Sequence, residues 1–212
     1  MSIEDQLASS LGERGEEPNI ALAERIAASG NAAAVAELIG LLRGRNKPAQ
    51  SDSIKVLYEI GERAPHMIAG EAETFLALLA GRNNRLVWGA MTALAAIARV
   101  RPEAVAPALD TIADAARDGS VITRDQAVRI FAALSADEDD RYPAAWRQLL
   151  VQLRSCPPNQ LPMYAELALP AVRAERAAAF AAVLAARLDD VAGAKRRRVE
   201  KVLGQLANRR QS

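Results

Sequence analysis

Few side chains in this 212-residue chain can do covalent or metal chemistry. His66 is its one histidine and Cys156 its one cysteine. A zinc site of the HExxH kind needs two histidines, and a structural zinc site needs about four Cys or His ligands, so both are excluded. A lone cysteine also excludes an internal disulfide. His66 follows Pro65 in a turn, which points to a surface or capping role. Cys156 precedes Pro157-Pro158 and has no nearby histidine to activate it, so an inert thiol is expected. Asp137-Glu138-Asp139-Asp140 lacks the alternating ligand spacing and the glycine of a calcium loop, and reads as a solvated turn. Asp189 and Asp190 are adjacent, so on a helix they point about 100° apart and form no matched acid/base pair. Neither GxxxxGK[ST] nor GxGxxG occurs. These residues predict no enzyme, no catalytic residue, no metal ligand and no cofactor.

What remains is the chemistry of binding. The net charge is only +1, so nothing global commits the chain to nucleic acid. Charge is unevenly spread, however. Glu4, Asp5, Glu13, Glu16, Glu17 and Glu24 outnumber Arg14 and Arg25 at the start. Lys195, Arg196, Arg197, Arg198, Lys201, Arg209 and Arg210 face Glu200 alone at the end. This basic end is either a patch for phosphates or a solvated cap whose cations suit the C-terminal dipole of a last helix.

The elements that would position these residues come from a repeat. An offset of 37 residues lays Arg45-Asn46 on Arg82-Asn83, Leu57 on Leu94, Ile60 on Ile97 and Pro65 on Pro102. The same step takes Met91 to Val128 and Leu94 to Phe131. Each unit reads as two helices. The first members run over 32–43, 69–80, 105–117 and 143–154, and the second over 47–63, 84–99, 121–135, 160–173 and 194–207. A helix over 177–189 pairs with the last of these. Asn46, Asn83 and Ser120 stand where an N-cap oxygen is needed, and Pro48 falls in a first turn. Residues 2–10 and 18–29 form a shorter capping pair. The expectation is one domain over 1–212: a cap at 1–30, repeats at 31–207 and a tail at 208–212.

Helix pairs of this length with a tight polar turn inside each pair resemble HEAT-like repeats. Arg124-Asp125 with Arg129 come nearest to the Asp and Arg that such units carry early in the second helix. The resemblance implies an all-α fold, a right-handed α-α superhelix (a HEAT/armadillo-like solenoid) of about five to six helix pairs. It implies binding along the second helices and no reaction.

Columns separated by 37 then sort those helices into faces. Ser53/Ala90/Ala127, Ile54/Met91/Val128, Leu57/Leu94/Phe131 and Ile60/Ile97/Leu134 form an apolar face. Ser51/Trp88/Asp125, Asp52/Gly89/Gln126, Lys55/Thr92/Arg129 and Glu59/Ala96/Ala133 lie opposite. A partner groove is expected at Ser51, Lys55, Arg85, Trp88, Thr92, Arg124, Asp125 and Arg129. Trp88 is either its anchor or a cover over core, whereas Trp146 falls in a first-helix core column. The leading reading is a non-catalytic module recognising another macromolecule, a protein above all. The alternative is a nucleic-acid-binding protein or HEAT-like DNA glycosylase using Trp88, Asp125 and the basic patch Lys195, Arg196, Arg197, Arg198 and Lys201. No apolar stretch reaches the ~20 residues of a membrane span, and the N-terminus lacks a signal-peptide pattern, so a cytoplasmic protein is expected.

Overall fold

The computed structural model describes residues 2–209. Arg210 of the basic end, and residues 210–212 of the expected tail, lie outside the described residues. Every regular element among the described residues is a helix. They gather into two compact units, Met1–Ala127 and Val128–Ser212.

The first unit is built around α3. Its opening helices are α1 (Glu17–Ser29), α2 (Ala32–Leu42), α3 (Lys47–Arg63), α4 (Ala72–Leu78) and α5 (Asn84–Ile97). A one-turn α6 (Pro102–Val105) leads to α7 (Leu109–Asp118) and then α8 (Val121–Ser135), which holds the limit of the unit. Polar caps set where the chain turns. The Oδ1 atoms of Asn31, Asn46 and Asn83 accept from the amides of Ala34, Ala49 and Arg85. Ser120 Oγ accepts from the amide of Thr123. Each satisfies a donor that no carbonyl within the helix can reach.

Packing follows the apolar columns. α3 packs on α1, α2 and α5, and α4 packs on α5. Ile54, Leu57, Ile60, Met91, Leu94 and Ile97 are wholly buried. Each contributes about 1.5–3 kcal/mol by leaving water. α5 approaches α3 so closely that a Cβ on Gly89 would lie 2.5 Å from Ile54 Cγ1. Gly89 is buried there, although its column was expected on the outward face.

Several helices depart from expectation, among them the one over 69–80, which is α4 after a 3-10 turn at Ala69–Glu71, and for three more a local reason is visible. Residues 2–10 form only a 3-10 turn at Glu4–Gln6. Ile3, Leu7 and Ala8 are nonetheless buried, and side chains replace helical acceptors for their backbone. The Ile3 amide donates to Glu37, Ala8 to Asn19, and Ser9 to Asp52. The helix expected over 105–117 is broken by a 3-10 turn at Ala106–Ala108, because Pro107 has no amide to offer the ladder. Pro170 similarly ends the helix expected over 160–173 in a 3-10 turn at Leu169–Ala171.

The second unit contains α9 (Pro143–Ser155), α10 (Leu161–Ala168), α11 (Ala174–Ala186) and α12 (Gly193–Arg209). α10 and α11 each pack on α9 and α12. Trp146 is buried, with its ring centroid 6.2 Å from that of Phe180. The acidic run before α9 is not the freely solvated turn expected. Asp137 pairs with Arg141 at 2.5 Å. Asp140, in the left-handed region at φ 52°, pairs with the buried Arg176. Arg176 also donates to the carbonyls of Ser135 (2.7 Å) and Ala171 (3.3 Å), and its guanidinium lies 4.9 Å from the Trp146 ring centroid.

Candidate functional site

α3 and α5 present a basic and aromatic cluster in the first unit. Trp88, one turn into α5, is half-buried. Its ring centroid is 5.5 Å from that of Tyr58 on α3, tilted by 50°. The Arg85 guanidinium lies 4.8 Å from the same Trp88 ring, and Lys55 Nζ lies 4.9 Å from the Tyr58 ring. Residues 55 and 58, and 85 and 88, meet because three-residue spacing puts side chains on one helix face.

Glu16, just before α1, reaches both helices. Its Oε2 is 2.9 Å from Lys55 Nζ and its Oε1 is 2.6 Å from Arg85 Nη2. Lys55 also meets Glu59 at 2.8 Å, and Glu59 meets Arg63 at 2.5 Å. Arg63 in turn reaches Glu24 of α1 at 3.0 Å. Hydrogen bonds from Lys55 and Arg85 hold the Glu16 carboxyl below its ordinary range. Burial opposes the Lys55 ammonium, but bonds with Glu59, Tyr58 and Glu16 outweigh it and raise its pKa. Burial raises the Tyr58 phenol.

The residues singled out in the sequence are thus divided. Ser51 and Asp125 are half-buried. Arg85 and Trp88 are brought together as a stacked pair. Lys55 and Thr92, expected in an open groove, are buried instead at 5% and 8% exposure. Lys55 lies beneath Glu16, and the Thr92 hydroxyl donates back to the Trp88 carbonyl at 2.9 Å. Arg124 serves α7, donating to the carbonyls of Ala116 and Gly119 at its C-terminal end. Arg129 belongs to the second unit and is exposed there. Glu16 and Tyr58 were missed, since no repeat column links residue 16 to residues 55 and 85.

In the basic patch, Arg196 pairs with Asp189 (3.1 Å) and Glu200 (2.9 Å). Arg198 donates to both carboxylate oxygens of Glu166, at 2.8 and 2.6 Å. Lys195, Arg197 and Lys201 are exposed. Cys156 is buried, and burial pushes its thiol pKa up although Arg187 Nη1 lies 3.2 Å away. His66 is exposed in a 3-10 turn at Pro65–Met67. Among the described residues no three His, Cys, Asp or Glu side chains cluster to hold a metal, and no helix is long and apolar enough to cross a membrane.

No family model and no curated protein matches the chain. Solved structures do. A designed armadillo repeat protein in complex with the peptide (KR)4 aligns with a TM-score of 0.67 at 16% identity, over 87% of this chain and 85% of that one. The chain is a HEAT/armadillo-like α-solenoid. Computationally designed armadillo repeat proteins for modular peptide recognition align at TM-score 0.65 and 17% identity, over 95% and 89% of the two chains. An engineered protein aligns at TM-score 0.62 and 21% identity, over 98% of both. At these identities the likeness to this solenoid is one of fold.

Proposed function

We propose that this solenoid is a non-catalytic scaffold that binds a peptide segment of a partner protein on the α3–α5 face, with Trp88 as the anchor. The carrying observation is the Trp88 ring, half-buried and in contact with both Tyr58 and Arg85. A rigid aromatic whose rotamer is already fixed loses little entropy on docking, and such residues dominate interface energetics. The solved structures support the same role, since one is bound to a peptide and another was designed for peptide recognition. Nucleic acid is the less favoured partner, because Arg196 and Arg198 already spend their charge on Glu166, Asp189 and Glu200.

Selection of binders from a displayed random-peptide library tests the proposal. Trp88→Ala is expected to weaken the selected peptides by about 2 kcal/mol, roughly 30-fold. A library that gives no binder, or binders indifferent to Trp88, refutes it.

A further inference from the structure

We infer that Lys55, Arg85 and Trp88 form a seat for a carboxylate, filled in the free protein by Glu16, and that an acidic segment of the partner enters by displacing Glu16. This rests on the scaffold reading and adds the chemistry of the peptide.

Glu16 already shows what the seat takes. Each of its oxygens meets a different cation on a different helix, at 2.9 and 2.6 Å. Arg85 has Glu16 as its carboxylate partner among the described residues, whereas Lys55 also has Glu59. The Lys55 side chain is only 7% exposed. Without Glu16 or a substitute, the Lys55 ammonium keeps Glu59 and Tyr58 but loses one of its two carboxylates, and Arg85 keeps only the Trp88 ring; losing a carboxylate is unfavourable for a mostly buried cation. A basic segment would have to push a carboxylate from between two cations and bring repulsion in its stead. An acidic segment replaces like with like.

The present occupant is also built to leave. Residues 11–17 are all exposed, and Glu16 itself is 47% exposed. The Glu13 amide bonds the Ala8 carbonyl at 2.9 Å, and α1 begins at Glu17, so the arm between is fixed at both ends. Gly12, at φ 75°, makes the turn that leads into this arm, in a conformation other residues adopt with strain. The Glu16–Arg85 pair, with side chains 47% and 31% exposed, is partly solvated and screened by salt, and Lys55 retains Glu59 when Glu16 leaves. The Trp88 ring beside the seat leaves an aromatic surface for an apolar residue next to the incoming carboxylate. A seated Glu16 therefore reduces apparent affinity to the fraction of molecules whose seat is empty.

The test uses the full chain and two fluorescein-labelled decapeptides, alternating Glu-Ala and alternating Lys-Ala, read by fluorescence anisotropy. The Glu-Ala peptide is expected to bind, with Glu16→Gln binding it roughly 10-fold more tightly. Arg85→Met is expected to abolish binding with or without Glu16→Gln. Hydrogen exchange at the Ile20 amide, which donates to the Glu16 carbonyl at 3.0 Å, is expected to quicken when the Glu-Ala peptide is added. Thermal melts of each variant check folding, and Glu16→Asp, which keeps the charge but shortens the reach, is expected to tighten binding in the same direction. Glu-Ala binding that is unchanged by Glu16→Gln overturns the inference, as does preferential binding of the Lys-Ala peptide or of an oligothymidine. Library peptides that depend on Trp88 but carry no acid sink the carboxylate seat while leaving the scaffold standing. The absence of any Trp88-dependent peptide sinks the scaffold itself.

Discussion

Replacing Ser53 by alanine should make the protein more stable. Ser53 lies on α3, wholly buried, and its Oγ has no hydrogen-bond partner. A buried hydroxyl without a partner costs about 1–3 kcal/mol relative to water. Alanine removes that cost and gains roughly 0.5 kcal/mol of helix propensity. Against this stands the small void left by one oxygen, about 10–15 Å³, worth roughly 0.3 kcal/mol at ~24 cal/mol per Å³. The balance favours Ser53→Ala by about 1–3 kcal/mol. The equivalent column agrees, since Ala90 and Ala127 occupy it and are wholly buried. Urea denaturation followed by circular dichroism reads the change as a higher midpoint at unchanged slope. In a chain of this size the melting temperature should rise by about 2–12 °C. Ser51→Ala on the half-buried side of the same helix is the control, and should show the propensity gain of roughly 0.5 kcal/mol alone. If Ser53→Ala is neutral or destabilising, the hydroxyl has a partner such as an internal water, and the reasoning fails.

Leu94→Ala should cost about 2–5 kcal/mol in the same assay, and Arg129→Ala within about 0.5 kcal/mol, as a wholly buried and an exposed side chain demand; equal losses would reverse the assignment of helix faces. The Arg141 guanidinium and backbone amide hold the Asp137 carboxyl down to about 2, so its contribution is complete above the ordinary aspartate range near ~3.9 and lost as pH falls towards that depressed value. The stability of Asp137→Asn should accordingly fall less steeply than that of the parent between about pH 4 and 2, and a carboxyl titrating near ~3.9 by NMR would contradict the pairing.

Helix starts were the legible part of this fold, because they are written in local chemistry. Asn46, Asn83 and Ser120 each cap the helix that the repeat assigns them. The core columns were legible for a similar reason, as a buried stripe needs only regular spacing on one helix. Pro107 and Pro170 were visible, yet the periodicity around them outweighed their effect on the ladder. The expected groove fared less evenly. Trp88 and Arg85 share a face of α5, so their stacking follows from three-residue spacing. Glu16 bridges Lys55 and Arg85, and nothing in the spacing of residues 16, 55 and 85 announces that bridge. The bonds of Arg124 to α7 were not legible for another reason. A long cation at a helix start can reach back to the carbonyl end of the preceding helix, and a face diagram does not show that reach.

Cys156 gives the second unit a property independent of any partner. It is the chain's only thiol, it is 6% exposed, and burial keeps it protonated above the usual cysteine range. A thiolate is the reactive form, so a disulfide-exchange reagent meets neither an accessible sulfur nor an ionised one while α9 and its neighbours stay packed. Modification must wait for the surrounding helices to part. The labelling rate of this single sulfur is thus an internal clock for local opening, needing no introduced probe and blind to events that leave its own surroundings closed.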